Sequence, residues 1–205
     1  MSIGIIDYGL GNLTSVEGAV RRVGFDCVIS SDPSVLEKAE KLILPGVGAF
    51  GDGMRNLVER GLDEPLTDFV LNKAVPILGI CLGFQLVAKE SEEFGHHEGL
   101  GWVDATVQRL RPDDPELRVP HVGWNDLIQC SASPLYEDVP DDALFYYVHS
   151  YRLSAGDESL VVGEADYGGR FPAVIRKNNI HAVQFHPEKS QKHGLKMLEN
   201  FLVRA

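Results

Sequence analysis

A chain of 205 residues, 44% apolar and 24% charged, is long enough to bury one sizeable core. Nineteen basic against thirty acidic residues leave a net charge of −11, which repels nucleic-acid phosphates and anionic membranes. No stretch approaches the roughly 20 apolar residues that span a bilayer, and MSIGIIDYGLGN lacks the basic and apolar regions of a secretory signal.

One domain over residues 1–205, a cytosolic setting, and no nucleic-acid or membrane partner are therefore expected. Cys27, Cys81 and Cys130 are too few and too widely spaced for a disulfide framework or a zinc site. Each is expected as a free thiol, with neither metal nor cofactor.

In chain order, Ser2–Ile6 reads as a first strand and Leu13–Arg22 as a helix. Strands follow near Cys27–Ile29 and Lys41–Leu44, then a helical stretch over Glu64–Leu71 and an apolar strand over Pro76–Gly79. Strands alternating with helices make βαβ units and a parallel sheet. From Trp102 to Ile180 the runs are shorter, as in FYYVHSY, SLVVGEA and FPAVIR, with Gly, Pro and Asp between them, a texture of antiparallel strands. The chain closes with the apolar strand Ala182–Phe185 and an amphipathic helix over Gln191–Leu202.

Gly79–Gly83 reads G-I-C-L-G between a strand and a helix. This is the cysteine form of a nucleophile elbow. Flanking residues without Cβ let the chain turn sharply against neighbouring strands and lift Cys81 to the sheet edge. A helix starting near Gly83 favours the thiolate, and the Leu82 N–H becomes an oxyanion donor.

A thiol with a pKa near 8.5 is only a few per cent ionised at neutral pH and needs a base. His186 follows the last strand in H-P-E, and in an extended segment residues i and i+2 project from one face, so Glu188 reaches the His186 ring. The carboxylate would fix the tautomer and stabilise the imidazolium. Pro187 is expected to keep that segment extended.

G-I-C-L-G-F-Q and V-Q-F-H-P-E together resemble the signatures of the triad-type glutamine amidotransferases, and the likeness runs from Asp7 to Ser190. It implies an α/β fold, a flavodoxin-like three-layer sandwich with a mostly parallel central sheet and additional antiparallel strands in the C-terminal half. It implies that Cys81 attacks the side-chain amide of glutamine, ammonia leaves, and water hydrolyses the thioester. His186 is then base and later acid, and Glu188 orients it. Gln85 and the backbone of V-H-S-Y, which includes His149, Ser150 and Tyr151, would contact substrate, and Glu93 its amine.

D-Y-G-L-G-N at Asp7–Asn12, L-P-G-V-G-A-F at Leu44–Phe50, P-H-V-G-W-N at Pro120–Asn125, and H-P-E-K-S are similar to those members that act as glutaminase subunits of imidazole glycerol phosphate synthase. The implied partner is a (β/α)₈-barrel cyclase subunit in a heterodimer. There, ammonia would convert a phosphoribulosyl formimino carboxamide ribonucleotide into imidazole glycerol phosphate and an aminoimidazole carboxamide ribonucleotide, a step of histidine biosynthesis. Asn12 would lie at the cyclase interface. Lys189 would pair with an acidic cyclase residue or stay solvated.

A tetrahedral intermediate needs about two aligned N–H donors. Leu82 supplies one, and Pro45–Gly48 would supply the other through the Val47 N–H, beside Gly48. The glycines on both sides let that peptide turn over at low cost. The loop is expected to rest misaligned until an occupied cyclase sets it; the bland alternative is a glycine-rich turn that does not switch.

Gly9-Leu10-Gly11 lacks the third glycine of a dinucleotide fingerprint and reads as a turn. E-S-E-E-F-G-H-H-E-G reads as a solvated loop, Cys27 as core, and His121 and His149 as structural or substrate-lining. Two rival readings remain: a glutaminase serving another synthase, such as that for pyridoxal phosphate, and a flavodoxin-like cysteine hydrolase or chaperone. P-H-V-G-W-N and P-G-V-G-A-F disfavour the first, and H-P-E the second.

Overall fold

The computed structural model describes residues 2–205. In the first part of the chain, strands β1 (Ile3–Ile6), β2 (Cys27–Ser30), β3 (Lys41–Leu44) and β4 (Ile77–Ile80) alternate with helices α1 (Leu13–Arg22), α2 (Pro33–Leu36), α3 (Phe50–Glu59) and α4 (Asp63–Thr67), and α5 (Leu82–Leu86) follows β4. Then come β5 (Glu90–Ser91), β6 (His97–Glu98), β7 (Ala105–Arg109), β8 (His121–Asp126), β9 (Ile128–Gln129), β10 (Leu144–His149), β11 (Tyr151–Ala155), β12 (Val161–Asp166), β13 (Arg170–Lys177), β14 (Ile180–Val183) and α6 (Gln191–Arg204).

Side-chain alternation along the strands builds two apolar layers. Ile3, Ile5, Ile43, Leu78, Ile80 and Val183 point to one face, where they meet Val16 and Val20 of α1 and Met197 and Phe201 of α6. Leu42, Leu44, Ile77, Ile180 and Ala182 point to the other, against Leu36, Leu57 and Leu66 of α2, α3 and α4. The strands between are apolar on both faces, as a parallel sheet covered by helices requires.

The eight-stranded sheet has the order β2-β1-β3-β4-β14-β13-β12-β9. Its first five members pair in parallel, and β13, β12 and β9 add on antiparallel. A four-stranded sheet, β11-β7-β5-β6, and a two-stranded ribbon, β10-β8, complete the C-terminal part. Among the described residues no helix is long and apolar enough to cross a membrane.

Several elements depart from expectation. No helix is expected from the sequence over Phe50–Glu59, because the two glycines of F-G-D-G lower helix propensity at the start of α3. Here they serve packing: a Cβ on Gly51 would meet the His97 ring at 2.6 Å, and one on Gly53 would meet Leu86 at 3.1 Å. The helix expected over Glu64–Leu71 divides into α4 and a π-helical turn over Asp68–Asn72. FYYVHSY breaks at Ser150 into β10 and β11, which belong to different sheets.

E-S-E-E-F-G-H-H-E-G is a hairpin of β5 and β6 whose tip, with Phe94 and His96, is solvated as expected, while Ser91 and Glu93 are buried. Cys27 is only half-buried at the margin of the core, and burial pushes its thiol pKa up.

α6 is fastened by polar groups as well as by its apolar face. Buried Lys41 donates to the carbonyls of Phe201 and Ala205. Buried Asn200 donates to the Leu135 and Glu137 carbonyls, at 2.9 and 2.6 Å. Asn200→Ala leaves both carbonyls unpaired and is expected to cost about 2 kcal/mol, read as a lower urea midpoint with an unchanged slope.

Candidate active site

β4 ends at Ile80 and α5 begins at Leu82, leaving Cys81 between them at φ 55° and ψ −100°. A side chain in that region carries strain of about 1–3 kcal/mol and persists only where packing dictates it. Packing dictates it here: a Cβ on Gly83 would stand 1.9 Å from the Leu44 carbonyl oxygen, and one on Gly79 would stand 2.8 Å from that of Gly83. The Cys81 N–H donates to the Val183 carbonyl at 2.9 Å, tying the elbow to β14. Cys81 is 7% exposed. Its Sγ lies 3.9 Å from the Val148 carbonyl and from Gln184 Nε2, which donates to it.

β14 runs beside β4 and leads directly to His186. Nδ1 of His186 lies 2.7 Å from Glu188 Oε1, and both side chains are 2% exposed. The segment is not extended, contrary to the reading from H-P-E. Pro187–Lys189 form a 3₁₀ turn with proline at its first position, and Glu188 reaches the ring by curling back. Ser190 Oγ donates to the His186 carbonyl at 2.6 Å and accepts from the Tyr146 N–H at 2.9 Å, which locks the turn to β10.

Burial alone would lower the His186 pKa. Hydrogen bonding and charge from Cys81 and Glu188 outweigh it and raise the value to about 9. At rest Nε2 closes no hydrogen bond of good geometry, and neither does Glu188 Oε2. The pair is therefore preset to carry an imidazolium.

Cys81 opens into a cavity of about 450 Å³. One wall is Val47 and Gly48; another is Leu82, Gln85 and Glu93; the third is 148–151, with His149, Ser150 and Tyr151; Lys189 stands at the rim. The cavity lies outside the carboxyl ends of β3 and β4, where open α/β sheets hold ligands.

The profile of "Glutamine amidotransferase class-I" matches residues 4–205. The chain belongs to this amidotransferase family. It is similar to imidazole glycerol phosphate synthase subunit HisH of Geobacter sulfurreducens, 48% identical and covering 97% of each chain. It is also similar to subunit HisH 2 of Methanococcus maripaludis, 41% identical over 99% of this chain and 100% of that one. Among solved structures, a glutamine amidotransferase superposes with a TM-score of 0.73 at 23% identity, covering 98% and 99% of the two chains. PurLQS from Thermotoga maritima superposes at 0.74 and 19%, covering 98% and 97%. These two likenesses establish the fold.

In this amidotransferase the expected oxyanion donors do not converge. The Leu82 N–H is not open to the cavity: it donates to the Gly46 carbonyl at 3.3 Å. In a trans peptide the carbonyl and the following N–H point in opposite directions, so the Val47 N–H is turned away from Leu82. Gly46 fits only as glycine, since a Cβ would stand 2.2 Å from the Tyr8 hydroxyl.

Gln85 is buried, and its Nε2 donates to the Tyr151 carbonyl at 3.0 Å and to Gln184 Oε1 at 3.1 Å. Asn12 is the exposed cap of α1, accepting from the Ser15 N–H at 3.3 Å. Lys189 is exposed, with Nζ 5.9 Å from the centre of the Tyr146 ring.

Sequence reasoning missed a buried relay. His149 Nδ1 is 2.8 Å from the Tyr151 carbonyl, His149 Nε2 is 3.0 Å from His121 Nδ1, and Asn125 Nδ2 approaches His121 Nε2 at 3.4 Å while donating to the Asp166 carbonyl. A carbonyl only accepts, so the proton sits on His149 Nδ1, and each ring in turn accepts from the next. Both rings are neutral. Burial holds His121 down at about 4 and, with the opposing bond to Tyr151, His149 at about 3. Only the pairing of β8 with β10, which sets His121 opposite His149, brings the rings together.

The raised His186 pKa sets a pH dependence. A group at about 9 in the folded state and about 6.5 unfolded contributes its stability in full below pH 6.5 and loses it as pH rises through 9. The melting-temperature gap between wild type and Glu188→Gln is expected to be widest near pH 6 and to narrow towards pH 9.5. Gly83→Ala, driven into the Leu44 carbonyl, is expected to abolish alkylation of Cys81 by a glutamine-like affinity label.

Proposed function

We infer that this chain is a glutaminase that hydrolyses glutamine to glutamate and ammonia and passes the ammonia to a (β/α)₈-barrel cyclase subunit. Together the two subunits make imidazole glycerol phosphate and an aminoimidazole carboxamide ribonucleotide in histidine biosynthesis. The observation that carries this reading is the strained Cys81 at the floor of a cavity, next to a buried His186–Glu188 pair that favours the imidazolium. The family match and the names of relatives at 41–48% identity support it, and the same names disfavour a synthase for pyridoxal phosphate.

The chemistry follows from the geometry. His186 holds the proton taken from the Cys81 thiol, and Sγ attacks the amide carbon. The tetrahedral adduct expels ammonia as His186 returns the proton to nitrogen, leaving a thioester. His186 then takes a proton from water, whose oxygen attacks the thioester, and returns it to the thiolate as glutamate leaves. Glu188 holds the ring and its charge throughout. Gln85, the backbone of residues 148–151 and Glu93 hold the amino acid. Asn12 and Lys189 face the cyclase.

The oxyanion hole is assembled by rotation of the 46–47 peptide. Rotation withdraws the Gly46 carbonyl from Leu82, freeing that N–H, and turns the Val47 N–H inward beside Gly48, whose φ of 117° suits glycine. The cyclase drives this step, so glutamine is not spent idly. We place the enzyme in the cytoplasm, where three unpaired cysteines, including a nucleophile, stay reduced, and treat residues 1–205 as one glutaminase domain, in keeping with a family match that runs from residue 4 to 205.

Glutamate release is the test. With the cyclase and its ribonucleotide bound, release is expected to rise by about tenfold or more over the chain alone, since losing one oxyanion donor costs about a hundredfold. Equal rates would remove the switching loop. Cys81→Ala is expected to lower release by about 10⁴-fold; a variant that retains activity would refute the nucleophile.

A further inference from the structure

α3 begins directly after the loop that must supply the second oxyanion donor, and it has no cap of its own, because Ala49 offers no side-chain acceptor. The missing acceptor comes from far along the chain. Glu93 Oε2 accepts from the Phe50 N–H at 2.7 Å across 43 residues. Ser91 Oγ accepts from the Glu93 N–H at 3.1 Å and shapes the turn that aims the carboxylate. The hairpin of β5 and β6 is fastened to α3 a second time, where the His97 ring fills the space beside Gly51.

The same side chain faces the reaction. Glu93 is 8% exposed and lines the cavity of Cys81, and its Oε1 takes part in no hydrogen bond among the described residues. Burial raises its pKa, opposed by the Phe50 N–H and His97, while Asp52 adds to the rise. A cationic group arriving at Oε1 therefore relieves an incompletely compensated carboxylate.

We propose that Glu93 is a positioning residue that couples the substrate's α-ammonium to the oxyanion segment. Its Oε2 fixes Phe50, and the packing of Leu44 against Gly83 fixes the other end, so the 46–47 peptide turns between two anchors. An α-ammonium at Oε1 holds the carboxylate in place and so steadies the downstream anchor at Phe50 while a free amino acid is bound. This inference rests on the glutaminase reading.

The test uses the complex with cyclase and ribonucleotide, and compares Glu93→Ala with Glu93→Gln, which keeps an oxygen for Phe50 but loses the charge. Expected for Glu93→Ala are a raised KM, a kcat at saturating glutamine lowered by about tenfold or more, and amide exchange over residues 46–51 accelerated by about tenfold. Glu93→Gln is expected to recover the exchange protection and much of the kcat, with KM still raised. A raised KM with kcat within about twofold and unchanged exchange would make Glu93 an amine ligand only and overturn the proposal. So would a lowered kcat that Glu93→Gln does not recover. Exchange needs no turnover, so failure of the glutaminase reading is seen separately, as absence of glutamate release by the wild-type complex, and it removes the coupling with it.

Discussion

The approach of Gly83 to the Leu44 carbonyl is the constraint on which the site depends. It lets α5 rest against the end of β3, with Cys81 held at a positive φ of 55° between them. Three neighbouring parallel strands then deliver three functions side by side, at the usual strand spacing of about 4.8 Å. β3 leads to the loop proposed to complete the oxyanion hole, β4 to Cys81, the proposed nucleophile, and β14 to His186, the proposed base. The chain order of these parts is scattered over 140 residues, whereas their order in the sheet is consecutive. Catalytic proximity is thus inherited from hydrogen-bonded pairing and needs no further device.

The second half of the chain works as a clamp. β10 and β11 meet at Ser150, and the break lets one segment present its backbone to the cavity while each flank stays in its own sheet. The Tyr151 carbonyl there accepts from both Gln85 and His149, so the segment is braced from the elbow helix and from the ribbon at once. Buried hydrogen bonds of this kind rigidify a site because leaving any member unpaired is costly.

The elbow and H-P-E were legible because each is local: a few residues in sequence carry both the backbone geometry and the chemistry. Glu188 was correctly placed at the ring, but by the wrong geometry, since proline begins a 3₁₀ turn as readily as it ends a strand. α3 was illegible because its glycines answer to His97 and Leu86 of distant segments, not to local propensity. The histidine relay and the cap from Glu93 were illegible for the same reason: they exist only across strand pairings and hairpin docking. The Pro45–Gly48 loop lay between these extremes. Its glycines showed that a peptide could turn, and only the bond from Leu82 to Gly46 showed which way it rests.

The neutral histidines carry a further consequence for how the protein meets acid. His121, His149 and His181 all bind protons far more weakly when folded than an exposed ring does, each chiefly through burial. Unfolding below about pH 6.5 therefore takes up protons, so mild acid pulls the chain open. His186 has the opposite sign and resists alkali poorly. The buried histidines thus weaken the fold as pH falls below about 6.5, and His186 weakens it as pH rises through about 9.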